Sequence, residues 1–398
     1  MNILNSRLPK IYKRKNQDCY LDPIRKKLIQ ITPEETIRQK VISYLIDELN
    51  VPEDMILVEE HLSHYGIDSK QRADIVILAA TDKGDEIPLT VIECKAPEIP
   101  LADNVFYQAA KYSDDINSIY TVITNGFNTL SYKYDDKSNN YIQIETLPHY
   151  KEMLSGECIE KTRFNPPQRM AFEKHPSFLT EYFNSPEYDY GNAGISKDTP
   201  MKMALPIFNL SECIYDSDDK FPTGDYGMFR VIEDYGVRML SYGNAAGGRF
   251  FGPYRSFLVD INGSTEFFSI GISTYWKTEW DDNKPTKTCI CIAHDTEKST
   301  HHALQFVVED NLRVREEKVD FFHNGRIAIG RRGNGKISEL CELVRSRCPE
   351  ILKDDKFYLG RLHNDRMFHM NDPEIVELIK NFISYAIVRD EYRAIRSA

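Results

Sequence analysis

Several features that would classify a chain at once are missing from this sequence. No stretch approaches the roughly 18 uninterrupted apolar residues that a membrane span needs, so a membrane protein built on helices is not expected. The opening MNILNSRLPKIYKRKNQ has no apolar core of the kind that marks a secretory signal, so secretion is not expected either. The eight cysteines, at 19, 94, 158, 213, 289, 291, 341 and 348, form no CxxC pair and suggest no disulfide framework. A reducing, cytoplasmic compartment is the expected location. Internal repeats and low-complexity tracts are absent. So is an excess of positive charge: the net charge is -11, which excludes a surface coated in basic residues. A local basic groove would still suffice for nucleic acid.

What is present is the composition of a folded protein, 41% hydrophobic and 28% charged over 398 residues. That length accommodates roughly two or three domains. Residues 1–30 read as a basic N-terminal arm, with Arg7, Lys10, Lys13, Arg14, Lys15, Arg25, Lys26 and Lys27 against Asp18 and Asp22. Such an arm is either a solvated tail or a contact for nucleic acid. Thr32-Pro33-Glu34-Glu35 then opens a helix, with Thr32 as N-cap and Glu35 completing a capping box. Ile37, Val41, Ile42, Leu45 and Leu49 give that helix one apolar face, and Val51-Pro52 ends it.

Strands are expected over 56–60, 73–80 and 89–95, the last two flanking the turn-rich TDKGDE. A helix over 103–116 and strands over 118–124 and 128–134 follow. This order, helix, three strands, helix, strands, makes residues 31–150 one α+β domain. Loop signals such as NPPQ and NSPEYDYGNAG, with a short helical piece over 172–183, make 151–200 a connector. Residues 201–398 read as a second, β-rich α+β domain, with strands over 229–240, 255–261, 266–275, 288–293 and 302–308 and helices over 337–347 and 373–392.

The chemistry concentrates in RADIVI, with Asp74, and VIECKAP, with Glu93-Cys94-Lys95. Strand residues two apart share a face, so Glu93 and Lys95 project together while Ile92 and Cys94 face away. Asp74, at the start of the partner strand, can reach that face. Two carboxylates and one ammonium then converge at the edge of an otherwise apolar sheet. Close carboxylates disfavour each other's ionised form unless a cation sits between them. Oxygen ligands select hard ions, Mg²⁺ or Mn²⁺. A lysine beside such an ion can orient the attacking water or stabilise charge at phosphorus, which is equipment for phosphodiester hydrolysis.

These residues resemble the signature of the PD-(D/E)xK nuclease superfamily. The likeness is closer to the N-terminal nuclease domain of type I restriction enzyme R subunits and their stand-alone relatives. It rests on TPEETIRQ, RADIVI, VIECKAP, the run Phe106-Tyr107-Gln108-Ala109-Ala110-Lys111-Tyr112, and VITNG, spanning about residues 20–135. Each motif alone is weak; five in order are specific. The resemblance implies a restriction-endonuclease-like mixed sheet flanked by helices. It also implies Asp74 and Glu93 as metal ligands, Lys95 as the residue that handles the water, and Gln108 and Tyr112 as supporting residues that orient the site and contact DNA. Glu35 matches an acidic position that can add a metal ligand, its other reading being the capping box. The residue before the aspartate, commonly proline in the signature, is Ala73. Motor domains of the kind that follow in R subunits are not evident.

Elsewhere, Gly330-Arg331-Arg332-Gly333-Asn334-Gly335-Lys336 fits G-x-x-x-x-G-K, but Ile337 replaces the Ser or Thr that would hold Mg²⁺ in a P-loop. Its alternatives are an exposed turn or a phosphate contact at a helix N-terminus, with Arg326, Arg331, Arg332 and Lys336 as nucleic-acid-binding candidates. Cys289 and Cys291, in TCICIA, read as strand packing rather than as a zinc site completed by His301 and His302. His294, His301, His302, His363 and His369 show no ligand-like pattern. Phe250, Phe251, Tyr254, Tyr275, Trp276 and Trp280 read as core sooner than as a base pocket.

The expectation is therefore a Mg²⁺- or Mn²⁺-dependent DNA endonuclease of restriction or another defence against foreign DNA. Other restriction or defence subunits, or a second copy of the chain, would be compatible partners, with no membrane role. The competing readings are a catalytically idle DNA- or protein-binding adaptor and a ligand-gated nuclease effector.

Overall fold

A computed structural model describes residues 3–81, 85–101, 103–154, 158–159, 169–185, 194–243, 249–275, 286–296, 300–329 and 333–397. The chain divides into two compact units, Met1–Asn165 and Pro166–Ala398.

The first unit begins with three short antiparallel strands, β1 (Ile11–Arg14), β2 (Gln17–Leu21) and β3 (Leu28–Gln30). The expected basic arm is thus a folded element: Tyr20, Leu21 and Asp22 are buried. Its cations are largely matched by acids, because Arg7 pairs with Asp47, Lys13 with Asp18, Arg25 with Asp22 and Lys26 with Glu53. Composition showed the lysines and arginines but not the carboxylates that meet them.

Helix α1 (Pro33–Asp47) starts at Thr32, whose hydroxyl accepts the Glu35 backbone N–H at 3.0 Å. Ile37, Val41, Ile42 and Leu45 bury its apolar face. A seven-stranded mixed sheet follows. It comprises β4 (Ile56–His61), β5 (Arg72–Thr81), β6 (Glu86–Cys94), β7 (Tyr120–Thr124), β8 (Thr129–Asp135), β9 (Asn140–Ile144) and, after the one-turn helix α3 (Tyr150–Met153), β10 (Cys158–Ile159). The order is β10-β5-β6-β7-β8-β9, with β4 also on β5. β5 and β6 are antiparallel, and β6 and β7 parallel. A parallel pair needs a crossover, supplied by α2 (Asp103–Ile116). The core joins Ile37, Val41 and Ile42 of α1 to Ile75, Ile77, Val91, Ile92 and Val122 of the sheet. β5 and β6 are consequently interior strands, buried on both faces, which is why they read as continuous apolar runs.

The second unit carries α4 (His175–Asn184) and α5 (Met201–Tyr215), then a six-stranded antiparallel sheet. Its strands, in spatial as well as chain order, are β11 (Gly224–Asp225), β12 (Arg230–Gly243), β13 (Arg249–Ile261), β14 (Ser264–Tyr275), β15 (Lys287–Asp295) and β16 (Thr300–Val307). After the short α6 (Val308–Asn311) a four-stranded sheet, order β17-β18-β20-β19, is built from β17 (Leu312–Arg315), β18 (Lys318–His323), β19 (Leu352–Lys353) and β20 (Lys356–His363). Helix α7 (Ile337–Arg347) precedes β19, and α8 (Pro373–Ser397) ends the chain. Phe257, Phe268, Ile292, Leu304, Phe306, Phe321, Leu359 and Phe382 share one core. Among the described residues, no helix is long and apolar enough to cross a membrane.

Candidate active site

The β5–β6 ladder pairs Ile75 with Ile92, and continuing that register by one residue sets Asp74 opposite Glu93. Both sit where the ladder stops, at one end of two central strands rather than along an exposed sheet edge. Asp74 Oδ2 accepts the Cys94 backbone N–H at 2.7 Å, so the aspartate caps the end of β6. Lys95 follows that end; its N–H bonds the Thr124 carbonyl at 2.8 Å, and its Nζ lies 2.6 Å from Glu93 Oε1. Glu93 and Lys95 therefore share a face, as two-residue spacing requires, while Cys94 is fully buried on the other.

Helix α2 brings Gln108 and Tyr112 to the same place, one helical turn apart. The Gln108 amide donates to Glu93 Oε1 at 2.8 Å and to the Tyr112 hydroxyl at 3.1 Å. Lys95 and Gln108 thus converge on one oxygen of Glu93. The other, Oε2, is buried and has no hydrogen-bond partner among the described residues. Burial raises the Glu93 carboxyl first, the charge of Asp74 raises it further, and Lys95 opposes both, leaving it at about 7. Burial depresses Lys95, but the hydrogen bond and charge of Glu93 outweigh this, and its ammonium is held more firmly than in water.

Sequence reasoning missed Arg38, the cation on the other side of Asp74. Its guanidinium lies 2.6 Å from Asp74 Oδ1, 2.5 Å from Glu35 Oε2, 3.0 Å from Glu59 and 3.2 Å from Glu34. Glu35 is also engaged by Arg25 and, at 2.8 Å, by the Gln39 amide, which reaches Asp22 as well at 2.5 Å. Glu35 therefore joins the cluster through Arg38, with both oxygens occupied, and its side chain is used there rather than in the expected capping box. The spacing of Glu35, Arg38 and Gln39 on one helix face was the available signal.

The ion-pair network makes a simple test of whether a cation fits. Among the described residues it joins Asp22, Glu34, Glu35, Glu59 and Asp74 to Arg25, Arg38 and Arg72, two more carboxylates than cations, with the Glu93–Lys95 pair beside it. That imbalance, with the unpartnered buried Oε2 of Glu93 beside Asp74, is the donor set a hard divalent cation takes.

The remaining candidates lie in the second unit. Ile329 N–H bonds the Gly333 carbonyl at 2.7 Å and Gly335 N–H the Ile327 carbonyl at 2.8 Å, which ties residues 327–329 to residues 333–335. The Lys336 N–H is taken by the Tyr392 hydroxyl at 3.0 Å. The Ile329, Gly335 and Lys336 amides are thus engaged within the protein. Arg326 is exposed, and Lys336 pairs with Glu339 at 3.3 Å; Gly330, Arg331 and Arg332 lie outside the described residues. Cys289 and Cys291 are buried on the opposite face of β15 from His294, packed with Tyr254, and hold no histidine as co-ligand. Tyr254 is core, its ring seated where a Cβ on Gly271 would come within 2.7 Å. The side chains of Phe250, Phe251 and Tyr275, and Trp276 and Trp280 entirely, lie outside the described residues.

Comparison with curated proteins finds no match, and comparison with solved structures finds none. One family model does match, and it spans α1 through β9, the elements that carry Glu35, Asp74, Glu93, Lys95, Gln108 and Tyr112. Residues 33–148 match the model of the family described as the type I restriction enzyme R protein N terminus, the likeness that the five ordered motifs indicate.

Proposed function

We propose that this chain is a metal-dependent endonuclease that hydrolyses DNA phosphodiester bonds in restriction or a related defence. The observation that carries this reading is the pairing of Asp74 with Glu93 at the end of β5 and β6, with Lys95 and Gln108 on one oxygen of Glu93 and its second oxygen unpartnered. An adaptor has no physical need for that arrangement, since a buried carboxylate oxygen without a partner costs stability.

Asp74 and Glu93 would hold Mg²⁺ or Mn²⁺. Bound there, such an ion polarises a phosphoryl oxygen and acidifies a coordinated water. The protein's own groups do the rest. Lys95 stays charged at neutral pH, so it acts as a cation and hydrogen-bond donor that places the attacking water and balances charge growing at phosphorus. Gln108 fixes the Glu93 carboxylate, and Tyr112 fixes Gln108. Arg38 holds Asp74 from behind and relieves the repulsion among four acids. Glu35, with both oxygens taken, positions Arg38 and Arg25 rather than ligating the ion. The second unit would recognise the target or a partner subunit.

The test is cleavage of single- and double-stranded DNA, unmodified and methylated, by the purified chain with Mg²⁺ or Mn²⁺. Cleavage that disappears in Asp74→Ala supports the reading. Intact DNA under every condition, together with no calorimetric Mn²⁺ binding, overturns it.

A further inference from the structure

In the second unit β15 and β16 pair His294 directly with His301. Along β15 the side chains alternate: Cys289, Cys291 and Ala293 turn to one face, Ile290 and Ile292 to the other, so His294 turns with the isoleucines. On that face α8 crosses the ribbon, and Asp390 comes down between the two rings. Asp390 Oδ2 lies 2.8 Å from His294 Nδ1 and 3.0 Å from His301 Nε2. The three ligand atoms lie within 4.8 Å of one another. Two imidazoles from one hairpin and a carboxylate from 96 and 89 residues further along the chain form a set that ordinary packing does not require.

The surroundings are those of a metal ligand set. Glu266 Oε2 lies 3.5 Å from His294 Nε2, the ring nitrogen turned away from Asp390, in ion-pair range though not hydrogen-bonded to it. A metal-bound histidine typically gives its second N–H to a carboxylate, which fixes ring and tautomer. The His294 ring is further held by Phe268, stacked at 4.3 Å between centroids. The second Asp390 oxygen, Oδ1, lies 2.7 Å from Arg393 and 2.9 Å from His301 Nε2, so Arg393 holds the carboxylate while Oδ2 is the oxygen that faces both rings. His301 is 33% exposed, which leaves a path from solvent. A tetrahedral ion with bonds of about 2.0–2.1 Å separates its ligand atoms by roughly 3.3 Å. The two contacts to Asp390 Oδ2 need to open by a few tenths of an ångström, and the two ring nitrogens, within 4.8 Å of each other, need to settle at that spacing.

We propose that His294 Nδ1, His301 Nε2 and Asp390 Oδ2 form a second metal site, taking a borderline divalent ion of the Zn²⁺ class with water as fourth ligand. Nitrogen donors separate it in kind from the all-oxygen site of the first unit. The bound ion clamps α8 to the β15–β16 ribbon, so its role is stabilisation of the second unit, independent of nuclease activity.

The experiment uses the full chain carrying Asp74→Ala, which disables the other site whatever its function. After removal of metal with chelator, Zn²⁺ and Co²⁺ are titrated. One equivalent should bind, Co²⁺ should show the intense visible absorption of a four-coordinate nitrogen–oxygen site, and Zn²⁺ should raise the melting temperature. Adding His301→Ala, a change at a partly exposed ring, should weaken binding at least tenfold and abolish the thermal shift while the circular dichroism stays unchanged. A chain that binds no Co²⁺ or Zn²⁺, or that binds equally well with and without His301, overturns the site.

Discussion

Asp74 Oδ2 accepts the backbone N–H of Cys94 at 2.7 Å, so the aspartate is tied to the strand that carries Glu93 on one side and Lys95 on the other. Both carboxylates stand at the end of the ladder, and Lys95 pairs with Glu93 as a cation rather than as a ligand for an ion.

That division of labour predicts the phenotype of Lys95. An ammonium does not ligate a metal ion, so Lys95→Ala should keep the fold and Mn²⁺ binding, or tighten it, while cleavage stops. Asp74→Ala should lose both. Near-normal cleavage by Lys95→Ala would show that the water is handled by another group.

Gln108 bonds Glu93 directly, and Tyr112 reaches it only through Gln108. Gln108→Ala should lower kcat by about tenfold or more, in the range that misplacing a catalytic group costs. Tyr112→Phe should cost less, and adding it to Gln108→Ala should cost little more. Full additivity in the double variant would argue for separate roles.

Arg38 is buried against Glu35 and Asp74 and within reach of Glu34 and Glu59. Removing one partner of a buried ion pair leaves charges without compensation, at a cost of about 3–5 kcal/mol. Arg38→Met should therefore destabilise the first unit by about that much in urea. Arg38→Lys should recover only part, because an ammonium cannot fork between two carboxylates. Wild-type stability in Arg38→Met would mean that the acids are neutralised by another route.

His323 supplies a pH dependence in the second unit. Its Nδ1 accepts the Gly325 N–H at 3.0 Å, and the Tyr385 hydroxyl lies 3.0 Å away. Burial, then the charge of Arg389, push its imidazolium well below the ordinary histidine range of about 6.5. Above that pH both folded and unfolded chains carry it neutral, and no penalty arises. As pH falls through about 6.5 the unfolded chain takes up a proton that the folded chain refuses, so stability is lost on acidification. His323→Asn, whatever its stability at pH 7.5, should show a flatter decline of second-unit stability between pH 7 and 5. Parallel curves for the two proteins would contradict a neutral buried His323.

Much of the first unit could be read without coordinates, because its signals are local. Helix α2 spans Asp103–Ile116 and α7 spans Ile337–Arg347, the limits that periodicity and breakers indicate. Strands β5 and β6 announce themselves by apolar runs, and the alternation of Glu93, Cys94 and Lys95 sets which face each residue takes. Helix α5 was not legible: Pro206 sits inside it, and it is apolar on most sides, so it carries neither a helical stripe nor clean ends. The strands β1–β3 were hidden because charge read along a line does not show that Arg25 faces Asp22 and Glu35.

The sequence by itself determined α1, α2 and β4 through β8 of the first unit and the pairing face of Asp74, Glu93 and Lys95, since strand alternation is a property of the backbone. Only the tertiary structure decided that Arg38 lies behind Asp74, that Glu35 is occupied by cations, and that Asp390 meets His294 and His301 across 96 and 89 residues of chain. Such contacts depend on which strands and helices pack together, and no periodicity along the chain records the partner across a sheet or beneath a helix.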